Sequence, residues 1–278
     1  MKQDNYYYGY NRGKTRLGNR RTMAYSSLRK LVERPAELCG IYRTIKASNL
    51  AGNTGDVFDA EEIEELESRG INPYWDSTKF RNELTKHAKQ NRVWLDRSYL
   101  KDKTLIHDYK EFGTSENDIY RNPDGKTLTK LNNLSYVKSS AHECNLYALI
   151  DRFLSHNTLF PGISYKIKGF MENKHGNPSL VLKQSIVDAE RNATLEVIGN
   201  YLAERGFQRD GLRAWSNGHF VWSNGVYEFF DARPANVLTG KDGNLFFIDS
   251  IVHSVAYIQG VSSEYCFFTA KNMQSEQV

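Results

Sequence analysis

The sequence is poor in cysteine. It has three, Cys39, Cys144 and Cys266, far apart and odd in number. They offer neither a disulfide framework nor metal-site spacing, so a reducing cytoplasm is the expected compartment. Any run of about 18 apolar residues is also missing, and no segment is expected to span a membrane. The polar, tyrosine-rich N-terminus lacks the apolar core of a signal peptide. A strong charge of one sign is lacking too. The 37 Lys and Arg face 33 Asp and Glu, a net charge of +4, so bulk charge gives no reason for the whole molecule to coat nucleic acid. The charge is uneven, however: Met1 to Lys46 carry eleven Lys and Arg against three Asp and Glu. A solvated basic tail is one reading, and a weak contact with nucleic acid or an acidic partner is the other.

What is present is a globular composition. The chain has 278 residues, 40% of them hydrophobic, enough to bury a sizeable core in one large domain or two small ones. Residues 1 to about 22 show no periodicity. A short helix is expected from Tyr25 to about Arg34, ended by Pro35. Ala51 to Gly55 reads as a loop, and an acidic helix capped by Asp56 or Asp59 stops at Gly70. A further helix fits Asp76 to about Val93, with Phe80, Leu84 and Ala88 on one side. No catalytic constellation stands out in this third of the chain.

From about Lys103 the pattern turns to strands. Thr104–Glu111, Asp118–Arg121 and Lys126–Leu131 read as three antiparallel strands. A small loop with Gly113, Thr114 and Ser115 joins the first two, and Asn122-Pro123-Asp124-Gly125 turns between the second and third. Lys130 lies inside the third strand beside Leu131, where its ammonium needs a partner or must reach solvent. A helix follows from Ser139 to about His156, and Glu143 in its first turns is a candidate partner for Lys130; an unrelated surface Glu is the alternative. Two more strands, Tyr165–Phe170 and Ser179–Val187, bring the count to about five with one helix inserted. Thr194–Glu204 is an amphipathic helix stopped by Gly206, and Phe207–Phe230 is strand-rich.

The stretch Tyr227 to Val252 concentrates the chemistry. An apolar strand leads to Asp231. Asn236 precedes a short strand, Lys241-Asp242-Gly243 turns the chain, and a second apolar strand ends at Asp249. An Asp-Gly turn between apolar runs is a strong hairpin signal. The hairpin brings Asn236 and Asp249 onto neighbouring backbone, close to Asp231. Two carboxylates and an amide make an oxygen-rich site suited to a hard cation such as Mg²⁺. Solvated surface Asp residues are the plainer reading, but Asp249 sits inside the apolar run Leu245 to Val252, and an ionised Asp is rarely buried unless paired or metal-bound.

Taken together, Gly113, Lys130, Glu143, the Asp231-to-Asn236 spacing and Asp249 stand in the order found in protein-kinase-like folds. The phrases GTSENDIYR, HNTLFP, VLKQSIV, ATLEVIGNYLAERGF and DARPANVLTGKDGNLFFID more closely resemble the small serine/threonine/tyrosine kinase domain of polyvalent proteins of phages and conjugative elements. The resemblance covers about residues 92 to 255. It implies an α+β fold: an antiparallel-sheet N-lobe with one inserted helix over about 92–188 and a reduced C-lobe over about 189–278, preceded by a basic, helical region over 1–91. It implies ATP and Mg²⁺ as cofactors and an unknown protein or small-molecule acceptor. Asp231 would orient the acceptor hydroxyl, with Arg233 beside it in the catalytic loop. Asn236 and Asp249 would hold Mg²⁺, and Lys130, positioned by Glu143, would contact the phosphates. Gly113, Thr114 and Ser115 would cover the phosphates, and Gln184 would lie at the adenine hinge. The chain departs from the wider pattern in three places. Phe229 stands where a His is usual, the phosphate loop has one glycine, and Ser250-Ile251 follow Asp249. A module of a mobile genetic element that binds nucleotide without transferring phosphate is the alternative.

Overall fold

The computed structural model describes residues 25–52, 77–107, 116–134, 146–215 and 219–255. Five helices occur among them: α1 (Tyr25–Arg29), α2 (Leu38–Gly52), α3 (Ser77–Gln90), α4 (Leu146–Leu159) and α5 (Leu195–Glu204). None is long and apolar enough to cross a membrane. The first strands form an antiparallel sheet in the order β1-β2-β3-β5-β4. They are β1 (Thr104–His107), β2 (Asn117–Arg121), β3 (Thr127–Asn132), β4 (Lys166–Glu172) and β5 (Pro178–Ser185). In the chain, α4 lies between β3 and β4. The expected three strands, helix and two strands are found: β2 to β5 begin and end within two residues of expectation, residues 108–111 of the expected first strand and 139–145 of the expected helix lie outside the described residues, and α4 runs on to Leu159.

Local chemistry explains the tight turn between β2 and β3. Gly125 takes a φ of +64°, and one carboxylate oxygen of Asp124 accepts from the amides of Lys126 and Thr127 at 2.8 and 2.9 Å. Such an Asx turn fixes the register that puts Lys130 opposite Ile119 on one side and Leu182 on the other.

The helices cover one face of this sheet. Leu28, Ile41, Ile45, Phe80 and Leu84 share a buried cluster with Leu149, Ile150 and Phe153 of α4 and with Ile167, Phe170, Leu180 and Leu182 of the sheet. Sharing a core ties the helical region directly to the strands. Two backbone junctions reinforce it, where Val32 bridges Ile167 and Trp94 bridges Phe170. Gly169 permits the second. Its φ is +143°, and a Cβ there would meet the Val93 carbonyl oxygen at 2.5 Å.

Two details differ from expectation. The first helix ends at Arg29, before Pro35, because the chain from Leu31 to Glu33 pairs with Ile167 instead. The helix Leu38–Gly52 was not evident in the pattern, and it takes in Ala51 and Gly52 of the expected loop. The expected acidic helix before Gly70 lies outside the described residues.

The remaining strands form two small sheets. One runs β12-β9-β8-β7, from β7 (Gln208–Trp215), β8 (His219–Ser223), β9 (Tyr227–Phe230) and β12 (Ile251–Ser254). The other runs β11-β10-β6, from β6 (Ala189–Asn192), β10 (Val237–Gly240) and β11 (Leu245–Phe247). A second core of Phe160, Phe207, Phe229, Val237, Phe247 and Val252 packs between them. Thr194 caps α5 by accepting from the Val197 amide at 3.3 Å, and Gly206 follows the helix at a φ of +78°.

Candidate active site

The expected hairpin is present as β10 and β11. Val237 pairs with Phe247, which places Asn236 opposite Ile248. The Ile248 amide donates to the Asn236 carbonyl at 2.9 Å. Asp249 is therefore one residue beyond that rung, just past the end of β11.

Asp231 follows β9 in a conformation unusual for a residue with a side chain, at a φ of +55°. Its surroundings are local. Asn236 Nδ2 donates to the Asp231 carboxylate at 2.8 Å and to the Asp231 carbonyl at 3.0 Å. Arg233 Nε lies 3.0 Å from the other carboxylate oxygen. With the Asn236 side-chain nitrogen engaged, its side-chain oxygen Oδ1 is the remaining polar atom of that amide.

Asp249 depends on distant chain. Lys130 Nζ, on a side chain 4% exposed, lies 3.6 Å from the Asp249 carboxylate. Burial alone would raise the Asp249 pKa, but the charges of Lys130 and Arg152 outweigh it and hold the group below the usual carboxylate range. For Lys130, burial acts to lower the pKa, and the Asp249 carboxylate reverses this and raises it. Both groups are thus held in their charged forms.

The other expected site residues divide into two groups. Gln184 is buried in β5, and its amide donates to the Ile163 carbonyl at 3.0 Å. Gly113, Thr114, Ser115 and Glu143 lie outside the described residues. The structure thus brings Asp231, Arg233 and Asn236 together in one loop, and Lys130 to Asp249 beside it.

One comparison bears on this geometry. The profile of a family described as a serine/threonine/tyrosine kinase found in polyvalent proteins matches residues 78–256. The chain belongs to that family. No curated protein and no solved structure matches the chain. The match opens in α3, so it includes a helix that precedes the sheet and packs into its core.

For a kinase-family chain the metal question can be put to these residues directly. No group of three or more His, Cys, Asp or Glu side chains that could hold a metal ion occurs among the described residues. The available donors are the ionised Asp249 carboxylate and the Asn236 amide oxygen. Mg²⁺ is usually held by one or two carboxylates, with substrate phosphates and water completing its octahedron, so this oxygen-only pair fits it.

Sequence reasoning missed four residues that support the site. Arg152 and His156 are one turn apart on α4, Tyr165 follows that helix, and Glu116 lies just before β2. The only trace in the sequence was a buried-looking helix with an Arg and a His at an i, i+4 spacing.

Proposed function

We propose that the chain is an ATP- and Mg²⁺-dependent phosphotransferase acting on a hydroxyl acceptor of a protein or small molecule. The observation that carries this reading is the Lys130–Asp249 pair, set just past β11 and next to the backbone rung that joins Ile248 to Asn236. Lys130 reaches the site from the third strand of the first sheet and Asp249 from the end of a hairpin. A nucleotide entering between them would meet a cation for its phosphates next to two oxygen donors for a metal.

The roles follow from chemistry. Asp231 accepts the proton of the attacking hydroxyl as its oxygen bonds to the γ-phosphorus and the bond to the bridging oxygen of ADP breaks. Arg233 sits against the Asp231 carboxylate and orients it. Lys130 contacts the α- and β-phosphates with Glu143 as its second partner. Gly113, Thr114 and Ser115 cover the phosphates, and Gln184 lies on the strand leading to the adenine. Asn236 and Asp249 hold Mg²⁺, which when bound offsets the negative charge of the phosphates. The first sheet with α4 serves as an N-lobe over about 92–188. The two small sheets with α5 form a reduced C-lobe over about 189–278, and residues 1–91 are the basic, helical N-terminal region, whose helices α1 to α3 share the core of the first sheet. That region is assigned a weak contact with nucleic acid, and the protein a place in the cytoplasm of a cell carrying a mobile element.

The test is a thermal-shift titration with ATP, with and without Mg²⁺, followed by an assay for loss of the γ-phosphate. The reading expects a Mg²⁺-dependent rise in melting temperature, and turnover that Asp231→Ala and Asp249→Asn abolish. Metal-dependent binding without turnover would assign the chain to the nucleotide-binding module instead. No nucleotide effect at all would overturn both.

A further inference from the structure

The three residues Phe247, Ile248 and Asp249 present consecutive carbonyls to the body of the protein, and each carbonyl accepts from a buried or half-buried side chain. His156 Nε2 donates to Phe247 O at 2.6 Å; a carbonyl can only accept, so the proton must be on that nitrogen. Tyr165 Oη donates to Ile248 O at 2.7 Å, and Lys130 Nζ donates to the same oxygen at 3.2 Å. Arg152 Nη2 lies 3.5 Å from Asp249 O, while its Nη1 donates to Glu116 at 2.9 Å.

The donors are themselves fixed. His156 is fully buried and packs against Phe160 and Tyr165 at ring-centroid distances of 5.2 and 4.8 Å. Tyr165 is gripped at both backbone groups by one side chain. Asn157 Nδ2 donates to Tyr165 O at 2.8 Å, and the Tyr165 amide donates to Asn157 Oδ1 at 2.7 Å. Arg152 is 4% exposed and joins Asp249 to Glu116, the residue just before β2. A buried Tyr, His and Arg all aimed at one short backbone segment exceed what packing requires. Each must find a hydrogen bond, but nothing obliges them to find it on three successive residues.

We propose that Arg152, His156 and Tyr165 are positioning residues that fix the 247–249 backbone on α4, so that the Asp249 carboxylate is presented to Lys130 and to a nucleotide-bound metal. Partners that orient a metal ligand without touching the metal commonly change metal affinity by about 10- to 100-fold when removed. The inference rests on the function proposed above. Its additional content is that α4 sets the geometry of the metal ligand through the backbone, and that Arg152 links this geometry to Glu116 at the head of β2.

The first measurement needs no metal and no activity. Amide hydrogen exchange is read over residues 245–252 in the wild type and in Tyr165→Phe, which keeps the ring and its packing. The carbonyl clamp predicts at least about tenfold faster exchange there, with exchange in β3 and β5 unchanged. The second measurement compares the affinity of ADP with Mn²⁺ against ADP in a chelator. Tyr165→Phe, Arg152→Gln and His156→Leu should each lose about tenfold of the metal-dependent gain and keep the metal-free affinity within about twofold. His156→Gln, which keeps a donor at that position, should recover most of the gain. Unchanged exchange in Tyr165→Phe, or folded variants that retain the full gain, would overturn this inference while leaving the proposed function standing. A wild type with no metal-dependent gain would overturn the function and this inference with it.

Discussion

The two acidic residues of the site are held in contrasting ways. Asp231 is bound by Asn236, five residues away, and by Arg233, two residues away, in a loop that carries its own strain. Asp249 sits on a segment whose partners lie 83 to 118 residues distant, on α4, β3 and the turn after α4. One half of the site is a local loop. The other half exists only when the first sheet, α4 and the hairpin are all assembled. Side chains of the assembled half are therefore part of the core, and altering them should cost stability. Side chains of the loop half should be alterable at little cost to the fold and at large cost to the chemistry.

The largest expected effect comes from acid. Burial pushes the His156 pKa from 6.5 down to about 4, partly opposed by the Phe247 carbonyl. The folded protein keeps this imidazole neutral, whereas the unfolded chain protonates it below pH 6.5. Its contribution is thus intact above pH 6.5 and is lost as the pH falls towards 4, by about 3 kcal/mol over that window. Asp249 titrates elsewhere. Its folded pKa lies below the ordinary 3.8, so its contribution holds above 3.8 and fails only as the pH drops further. Urea denaturation midpoints between pH 7.5 and 4.5 should fall steeply for the wild type and much less for His156→Gln. Equal slopes would remove His156 from the assembled half.

The next effect separates the members of the ion pair. Asp249→Asn leaves the Lys130 ammonium, on a side chain only 4% exposed, without its carboxylate. Stranding a buried charge costs several kcal/mol, and because the Asp249 side chain is 39% exposed water reduces this to about 2 kcal/mol. Lys130→Met removes the buried charge at similar volume and leaves Asp249 partly solvated, so the loss should stay within about 1 kcal/mol. Tyr165 continues to serve the Ile248 carbonyl in that variant. Chemical denaturation at pH 7 measures both. Equal losses would mean that the pair is solvated from both sides and that the assembled half is less buried than its geometry indicates.

The same contrast explains what could be read from the chain alone. The Lys241-Asp242-Gly243 turn, the strand alternation around it and the spacing from Asp231 to Asn236 are short-range signals, so the loop half was legible in outline. Lys130 stood out because a Lys inside an apolar strand needs a reason. His156 and Tyr165 did not, because their partners are backbone carbonyls, and a carbonyl has no residue identity for a pattern to catch; Arg152 did not, because its carboxylate partner Glu116 is 36 residues away. Strand β6 was missed for a related reason: Ala189–Asn192 is polar and exposed, and only its pairing with β10 makes it a strand. Helix α2 begins after a proline turn and carries Gly40 and Gly52, both poor helix formers. It is held by burial of Ile41 and Ile45 against α3 and α4 rather than by propensity.

The smallest expected change in stability is the sharpest check on the loop half. Asp231 takes a φ of +55°, a region that Asp and Asn visit far more readily than Ala does. Asp231→Asn keeps that tolerance and keeps an oxygen for Asn236 Nδ2 to donate to. Its stability should remain within about 0.5 kcal/mol of wild type. Asp231→Ala forces a side chain with no local hydrogen bond into the left-handed region, at a cost of about 1–2 kcal/mol. Both variants lack a carboxylate to accept a proton, so phosphoryl transfer should fall by about 100-fold or more in each. Thermal denaturation and a transfer assay on the two variants together separate backbone strain from proton chemistry at one position. If Asp231→Asn lost as much stability as Asp249→Asn, Asp231 would also be a charge that the fold needs, and the division between a local and an assembled half would fail at the residue that defines it.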